Sequence, residues 1–120
     1  VLLNYGHTIG HAIEAVTDYG SYLHGEAGGV GMMGAAFIAA ELGMLSSGDV
    51  ARQRSVLQRY GLPTAVEGVD PTAVRAAMGM DKKTSDGIIR WVLLERIGQA
   101  ATRNDVPAEL VDAALRSVCR

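Results

Sequence analysis

One stretch of this sequence, residues 25–42, limits the folds open to the chain because it is unusually rich in glycine and alanine. Its length and apolar character predict a helix, and Gly43 follows as a residue that ends helices. Four internal glycines each cost such a helix roughly 1 kcal/mol relative to alanine. They are Gly28, Gly29, Gly31 and Gly34. So many glycines indicate that another helix, or a ligand, approaches this backbone closely.

The remaining sequence predicts a mainly α-helical, multi-helix domain with a small β-hairpin. Apolar residues at three- and four-residue spacing, together with capping residues, predict helices in four further segments. These are residues 8–16, 46–60, 70–78 and 105–118, the last with Pro107 in its first turn. The first of these helices should be followed by a break at residues 18–21, and the helix at 46–60 should end at Gly61.

The small β element is predicted between two turn signals. Residues 84–87 end in Asp-Gly, which favours a hairpin turn, and residues 88–95 are rich in β-branched and aromatic side chains. Gly98 is expected to end this strand. At 120 residues the chain has the length of one domain, which should cover residues 1–120.

Composition excludes several classes of partner. A formal charge of −2 and a pI near 5.9 give no basic surface for nucleic acid. Cys119 is the only cysteine, so no disulfide can form within the chain, and a cytoplasmic location is expected. The apolar stretch from Gly28 to Leu45 contains Glu41 and five glycines, which favours a buried helix over a membrane span.

The sequence begins without methionine, and its most informative residues fall within the first two dozen positions. We therefore expect the chain to be a fragment of a larger protein.

All three histidines lie near the start of the sequence. His7 and His11 are four residues apart, which places them on nearly the same face of a helix, and His24 opens the next predicted helix. Two or three neutral imidazoles suit Zn²⁺, and a catalytic zinc also keeps one position open. Glu14 and Glu26 could orient such ligands or simply lie on the helix surface. The sequence therefore predicts a metal centre.

A second charged motif, Asp81-Lys82-Lys83, lies between a predicted helix and the predicted turn. Adjacent lysines in a loop are usually solvated. In a site that handles a carboxylate or phosphate, however, one lysine would serve as a point-charge anchor.

These motifs, taken together and in this order, resemble the 3-dehydroquinate synthase family. The resemblance rests on residues 3–14 (LNYGHTIGHAIE), residues 24–27 (HGEA), and the Asp81-Lys82-Lys83 motif followed by Gly87 and the strand. It implies the C-terminal helical domain of the dehydroquinate synthase-like and iron-type alcohol dehydrogenase-like architecture. The N-terminal NAD-binding domain of such a protein would be missing from this chain.

The resemblance also implies a reaction. Family members convert 3-deoxy-D-arabino-heptulosonate 7-phosphate to 3-dehydroquinate and phosphate in the shikimate pathway of aromatic amino-acid biosynthesis. They use NAD⁺ and a divalent metal, Zn²⁺ or Co²⁺. The active site lies in the cleft between the two domains, so this chain alone is expected to be inactive.

Roles for individual residues follow from the same resemblance. His7 and His24 match two metal ligands, and the third ligand, a glutamate, belongs to the N-terminal domain. His11 matches a catalytic residue that contacts substrate and helps proton transfer. Asn4 matches a substrate-binding asparagine, and either Lys82 or Lys83 matches a substrate-binding lysine.

The expected partners are the phosphorylated sugar acid, the N-terminal NAD-binding domain and a second copy in a homodimer, with no nucleic acid and no membrane. Three other interpretations stay open. The chain could belong to another sugar-phosphate cyclase, to a metal-dependent glycerol or iron-type alcohol dehydrogenase, or to a non-catalytic helical interaction module. One departure from the family pattern is Gly28-Gly29, where aliphatic residues are usual, and it bears on the stability of that helix.

Overall fold

The fold is mainly helical, as the sequence predicts. The computed structural model describes residues 6–17, 24–81, 91–96, 99–103 and 105–119. Within these ranges lie five helices and one two-stranded antiparallel sheet. They are α1 (His7–Val16), α2 (His24–Glu41), α3 (Ser47–Arg59), α4 (Pro71–Asp81), β1 (Trp91–Arg96), β2 (Gln99–Arg103) and α5 (Ala108–Val118).

Helix α2 lies at the centre of the domain, in contact with α1, α3, α5 and β1. The middle of α2 is buried on almost every side, and its fully buried residues include Val30, Ala36 and Ile38. A helix that is apolar all round belongs in a core, and α2 has that character. No described helix is long and apolar enough to cross a membrane.

Two glycines of α2, Gly31 and Gly34, serve packing against α1, which was one of the two explanations that the sequence left open. A Cβ atom added to Gly31 would overlap the carbonyl oxygen of Gly6 and would lie 2.8 Å from the backbone nitrogen of Gly10. A Cβ at Gly34 would lie 2.5 Å from the Cδ1 atom of Ile9. Helices α1 and α2 therefore approach until their backbones touch.

A hydrogen bond from a buried side chain of α3 connects this helix to α2. The Nε2 atom of Gln53 donates to the carbonyl oxygen of Met32 at 3.0 Å and lies 3.5 Å from the sulfur of Met33. Buried amides require such partners, because an unpaired one costs about 1–3 kcal/mol. Gln53 thus fixes α3 against the middle of α2.

The predicted helix ends are largely confirmed. Ser46 caps α3 by accepting from the backbone nitrogen of Asp49 at 3.1 Å, and Asp70 accepts from that of Thr72 at 2.9 Å at the start of α4. Gly43, just after α2, takes the left-handed conformation with φ 76°. Pro107 is the N-cap of α5 rather than part of its first turn.

The hairpin differs from the one that the sequence predicts. Strand β1 pairs with β2, a segment after Gly98 that was not predicted to be a strand, and the register runs from Trp91↔Arg103 to Arg96↔Gln99. The segment 99–103 contains two alanines, which have low β-propensity, so its pairing depends on the tertiary context. The predicted break at 18–21, the turn at 84–87 and Gly98 itself lie outside the described residues.

Trp91 and Leu93 of β1 are buried, and β1 contacts α2.

The end of α5 is hydrogen-bonded to the segment before α4. The backbone nitrogen of Val66 donates to the carbonyl oxygen of Val118 at 2.7 Å. The thiol of Cys119 is buried next to this hydrogen bond. Burial is the main cause that raises the pKa of the thiol, and the negative charge of Asp70 is the second cause. Cys119 is therefore a core residue rather than a reactive thiol.

The α1–α2 contact predicts that alanine substitutions at two glycines of α2 change the stability of the protein in opposite directions. Gly31→Ala should destabilise the full-length protein by about 1–3 kcal/mol, because the added methyl group overlaps the α1 backbone. Gly28→Ala is the matched control, since no described atom lies within 4 Å of a Cβ at that position.

Gly28→Ala should raise stability by roughly 0.5–1 kcal/mol, the ordinary gain of alanine over glycine in a helix. Urea unfolding followed by circular dichroism at 222 nm measures both changes. Equal shifts of the two midpoints in one direction would contradict the packing role assigned to Gly31.

Candidate metal centre

Helix α1 presents two of the three histidines on one side of the domain. The ring centroids of His7 and His11 are 4.2 Å apart, and the ring planes meet at 77°, an edge-to-face contact. His7 is half-buried and His11 is exposed. The spacing of four residues therefore produces the shared face that the sequence predicts.

The glycine before His7 fixes where α1 begins. Gly6 is the N-cap of α1 with φ 79°, a left-handed conformation that side chains rarely adopt, and its carbonyl accepts from the backbone nitrogen of Gly10 at 3.0 Å. A Cβ at Gly6 would also lie 2.8 Å from the backbone nitrogen of Met32. His7 is thus held at the first position of a helix whose start is packed directly onto α2.

His24 is the first residue of α2. The structure describes its place in the helix, and its side chain lies outside what the structure describes. The α1–α2 contact pairs Gly6 with Met32 and Gly10 with Ala27, so the helices run antiparallel. This arrangement brings the start of α2 back toward the later turns of α1, and the predicted place of His24 beside the other two histidines stays a prediction.

Helix α1 also carries a buried carboxylate. Glu14 is 9% exposed, and it follows His7 by seven residues, which is close to two full turns. Glu26 lies in the first turn of α2 and is half-buried. Both acidic residues named as orienting candidates therefore belong to the elements that carry the histidines.

The remaining predicted site residues cannot be placed. Asn4, Lys82 and Lys83 lie outside the described residues, so their assignments stay predictions. Among the described side chains, no group of three His, Cys, Asp or Glu residues is arranged to hold a metal ion.

Two clefts in the described part of the chain are lined by residues other than the histidines. The first, of about 290 Å³, lies among α2, α3 and α5, where Phe37 and Arg54 line it. The second, of about 330 Å³, lies beside an ion pair in which the Nε atom of Arg75 is 3.4 Å from the Oδ1 atom of Asp112.

The partners of Gly6 and Gly10 on α2 were not predicted from the sequence. The signal was present, because Gly6 and Gly10 recur at four residues on α1, as Ala27 and Gly31 do on α2. Two matching rows of small residues at helical spacing indicate a close helix crossing.

Solved structures share this fold. The chain has a TM-score of 0.86 and 29% identity with 2-epi-5-epi-valiolone synthase from Streptomyces hygroscopicus subsp. jinggangensis 5008, a structure with NAD⁺ and Zn²⁺ bound. The match covers 98% of this chain and 32% of that one. A 2-deoxy-scyllo-inosose synthase complexed with carbaglucose-6-phosphate, NAD⁺ and Co²⁺ gives a TM-score of 0.78 at 30% identity, over 96% of this chain and 34% of that one. The fold is therefore that of the helical part of sugar phosphate cyclases.

Sequence relatives narrow the assignment. The family described as "3-dehydroquinate synthase C-terminal" matches residues 1–84, and the chain belongs to this family. It is 48% identical to the 3-dehydroquinate synthase of Opitutus terrae and 43% identical to that of Nostoc punctiforme, in each case over 98% of this chain. It spans about a third of the length of these relatives, 33% and 32% respectively.

Proposed function

We propose that this chain is the C-terminal metal- and substrate-binding domain, over residues 1–120, of a 3-dehydroquinate synthase. The full-length protein would convert 3-deoxy-D-arabino-heptulosonate 7-phosphate to 3-dehydroquinate and phosphate in the shikimate pathway. The observation that carries this proposal is the family match over residues 1–84, which contains all three histidines. The relatives at 43–48% identity carry the same name.

The proposed metal ligands are His7 and His24. Imidazole nitrogen suits both Zn²⁺ and Co²⁺, so the chemistry of these side chains fits the metals found in the two solved structures. When bound, such a metal supplies Lewis-acid polarisation of a substrate oxygen. A third protein ligand would come from the N-terminal domain.

His11 is proposed to contact the substrate and to assist proton transfer. Its exposure leaves it accessible, and the edge contact with His7 holds it beside the metal ligand. An imidazole is well suited to this role because its ordinary pKa lies near neutral pH. Asn4 and either Lys82 or Lys83 would bind the substrate, with the lysine as an anchor for its negative charge.

The histidine face needs a second surface to become a closed site. Catalytic sites exclude water and hold the substrate from several sides, whereas His11 is exposed. The N-terminal domain, with its NAD⁺, is proposed to close it. We also propose a cytoplasmic location and a homodimer, with no nucleic-acid or membrane partner.

A second candidate function is that of a different sugar phosphate cyclase, because the solved structures at 29–30% identity have such activities. The higher identity to the dehydroquinate synthases favours the first proposal. A glycerol or iron-type alcohol dehydrogenase, or a non-catalytic helical module, has weaker support, since the match extends along the chain from the histidine motif to Lys82 and Lys83.

Alanine substitutions of the histidines should separate metal binding from catalysis. In the full-length protein, His7→Ala and His24→Ala should each lower bound zinc, measured by mass spectrometry of the metal, and abolish turnover. His11→Ala should keep the zinc and lower kcat about 10²–10⁴-fold, the usual contribution of a general acid or base.

Gln58→Ala, an exposed change on α3, is the control and should behave like the wild type. One zinc per subunit in the double variant His7→Ala/His24→Ala would rule out these two residues as ligands.

Product analysis should separate the candidate cyclases. With NAD⁺ and Zn²⁺, the full-length protein should form 3-dehydroquinate and one phosphate per molecule of the heptulosonate phosphate, followed by mass spectrometry and phosphate release. The isolated chain of 120 residues is the matched control and should show no turnover.

Formation of 2-epi-5-epi-valiolone or 2-deoxy-scyllo-inosose from other sugar phosphates, with no 3-dehydroquinate, would favour a sister cyclase. Turnover by the isolated chain would show that the proposed half-site is complete by itself.

A further inference from the structure

Gly6, Gly10 and Glu14 follow one another along α1 at four-residue intervals, and the first two contact α2. The first two have no side chain, which allows backbone contact with α2. The third carries a carboxylate that is only 9% exposed. A buried charge in this row requires polar partners, because taking an unpaired carboxylate out of water is costly.

The helix contacts indicate which part of α2 lies nearest to Glu14. A Cβ at Gly6 would lie 2.8 Å from the backbone nitrogen of Met32, and one at Gly10 would lie 3.2 Å from the carbonyl oxygen of Ala27. One turn forward along α1 therefore corresponds to somewhat more than one turn backward along α2. If this progression continues for one more turn, Glu14 lies close to the end of α2 that begins at His24.

The start of a helix is a favourable environment for a carboxylate. The first four backbone N–H groups of α2 have no partner within the helix, and the helix dipole places partial positive charge at this end. A carboxylate from a neighbouring helix can accept these N–H groups in the same way as an N-cap side chain.

We propose that Glu14 is a positioning residue, whose buried carboxylate accepts hydrogen bonds from the backbone N–H groups at the start of α2 and so fixes His24. The α1–α2 crossing would then have two structural roles. Its glycines set the distance between the helices, and Glu14 sets the position of the residue that opens α2. The consequence for metal binding rests on the proposed function, whereas the anchoring of α2 does not.

Two substitutions test the proposal in the full-length protein. Glu14→Leu removes the acceptor at similar volume, and Glu14→Gln keeps one carbonyl oxygen without the charge. Glu41→Gln is the matched control, because Glu41 is an exposed carboxylate at the opposite end of the same helix. Amide hydrogen exchange over residues 24–28 is measured on the metal-free protein, and Co²⁺ affinity is measured from visible absorption.

Glu14→Leu should speed exchange over residues 24–28 about 10-fold, the size of an N-cap loss, and should leave exchange over residues 33–40 unchanged. It should weaken Co²⁺ binding about 10–100-fold, the usual effect of removing a group that orients a metal ligand. Glu14→Gln should give an intermediate result in both measurements, and the control should match the wild type.

Unchanged exchange over residues 24–28 in both Glu14 variants would overturn the proposal, and so would a uniform rise of exchange along α2. A wild-type protein that binds no Co²⁺ would instead contradict the proposed function. In that case, faster exchange at the start of α2 in Glu14→Leu would still support the anchoring role. If Glu14→Leu does not fold, Glu14→Gln decides between these outcomes.

Discussion

The direct backbone contact between α1 and α2 is the interaction on which the rest of this domain depends. It exists because Gly6, Gly10 and Gly31 leave no side chains between the two helices. The glycines weaken α2 as an isolated helix by roughly 1 kcal/mol each, and burial of its apolar residues among α1, α3, α5 and β1 offsets this cost. Helix α2 is therefore stable because of its neighbours.

The same contact explains the position of the candidate metal centre. Gly6 both caps α1 and touches α2, so His7, the next residue, is placed by the helix crossing itself. His11 follows one turn later with its ring against that of His7. His11 is exposed, whereas two clefts in the described structure lie elsewhere. An exposed imidazole on a closely packed scaffold suits half of an interdomain active site, as proposed for a dehydroquinate synthase.

Local rules predicted most of the helices, because capping residues such as Ser46 and Asp70 and stop residues such as Gly43 act on nearby backbone. Strand β2 was missed because its alanines carry little intrinsic β signal, and pairing with β1 determines its conformation. The pairing of Gly6 with Gly31 was missed because it joins residues far apart in sequence. The roles of Asn4, Lys82 and Lys83 came from a resemblance and stay predictions, since these residues lie outside the described structure.

In the proposed metal site, this chain supplies two ligands and another part of the full-length protein supplies the third. A crystal structure of the full-length protein with Zn²⁺, using anomalous diffraction at the zinc edge, would test this arrangement. One zinc peak is expected about 2.0–2.1 Å from a ring nitrogen of His7 and of His24, with a carboxylate from outside this chain as the third ligand and no bond to His11. A zinc ion bound by His7 and His11 together, or by residues of this chain alone, would contradict it.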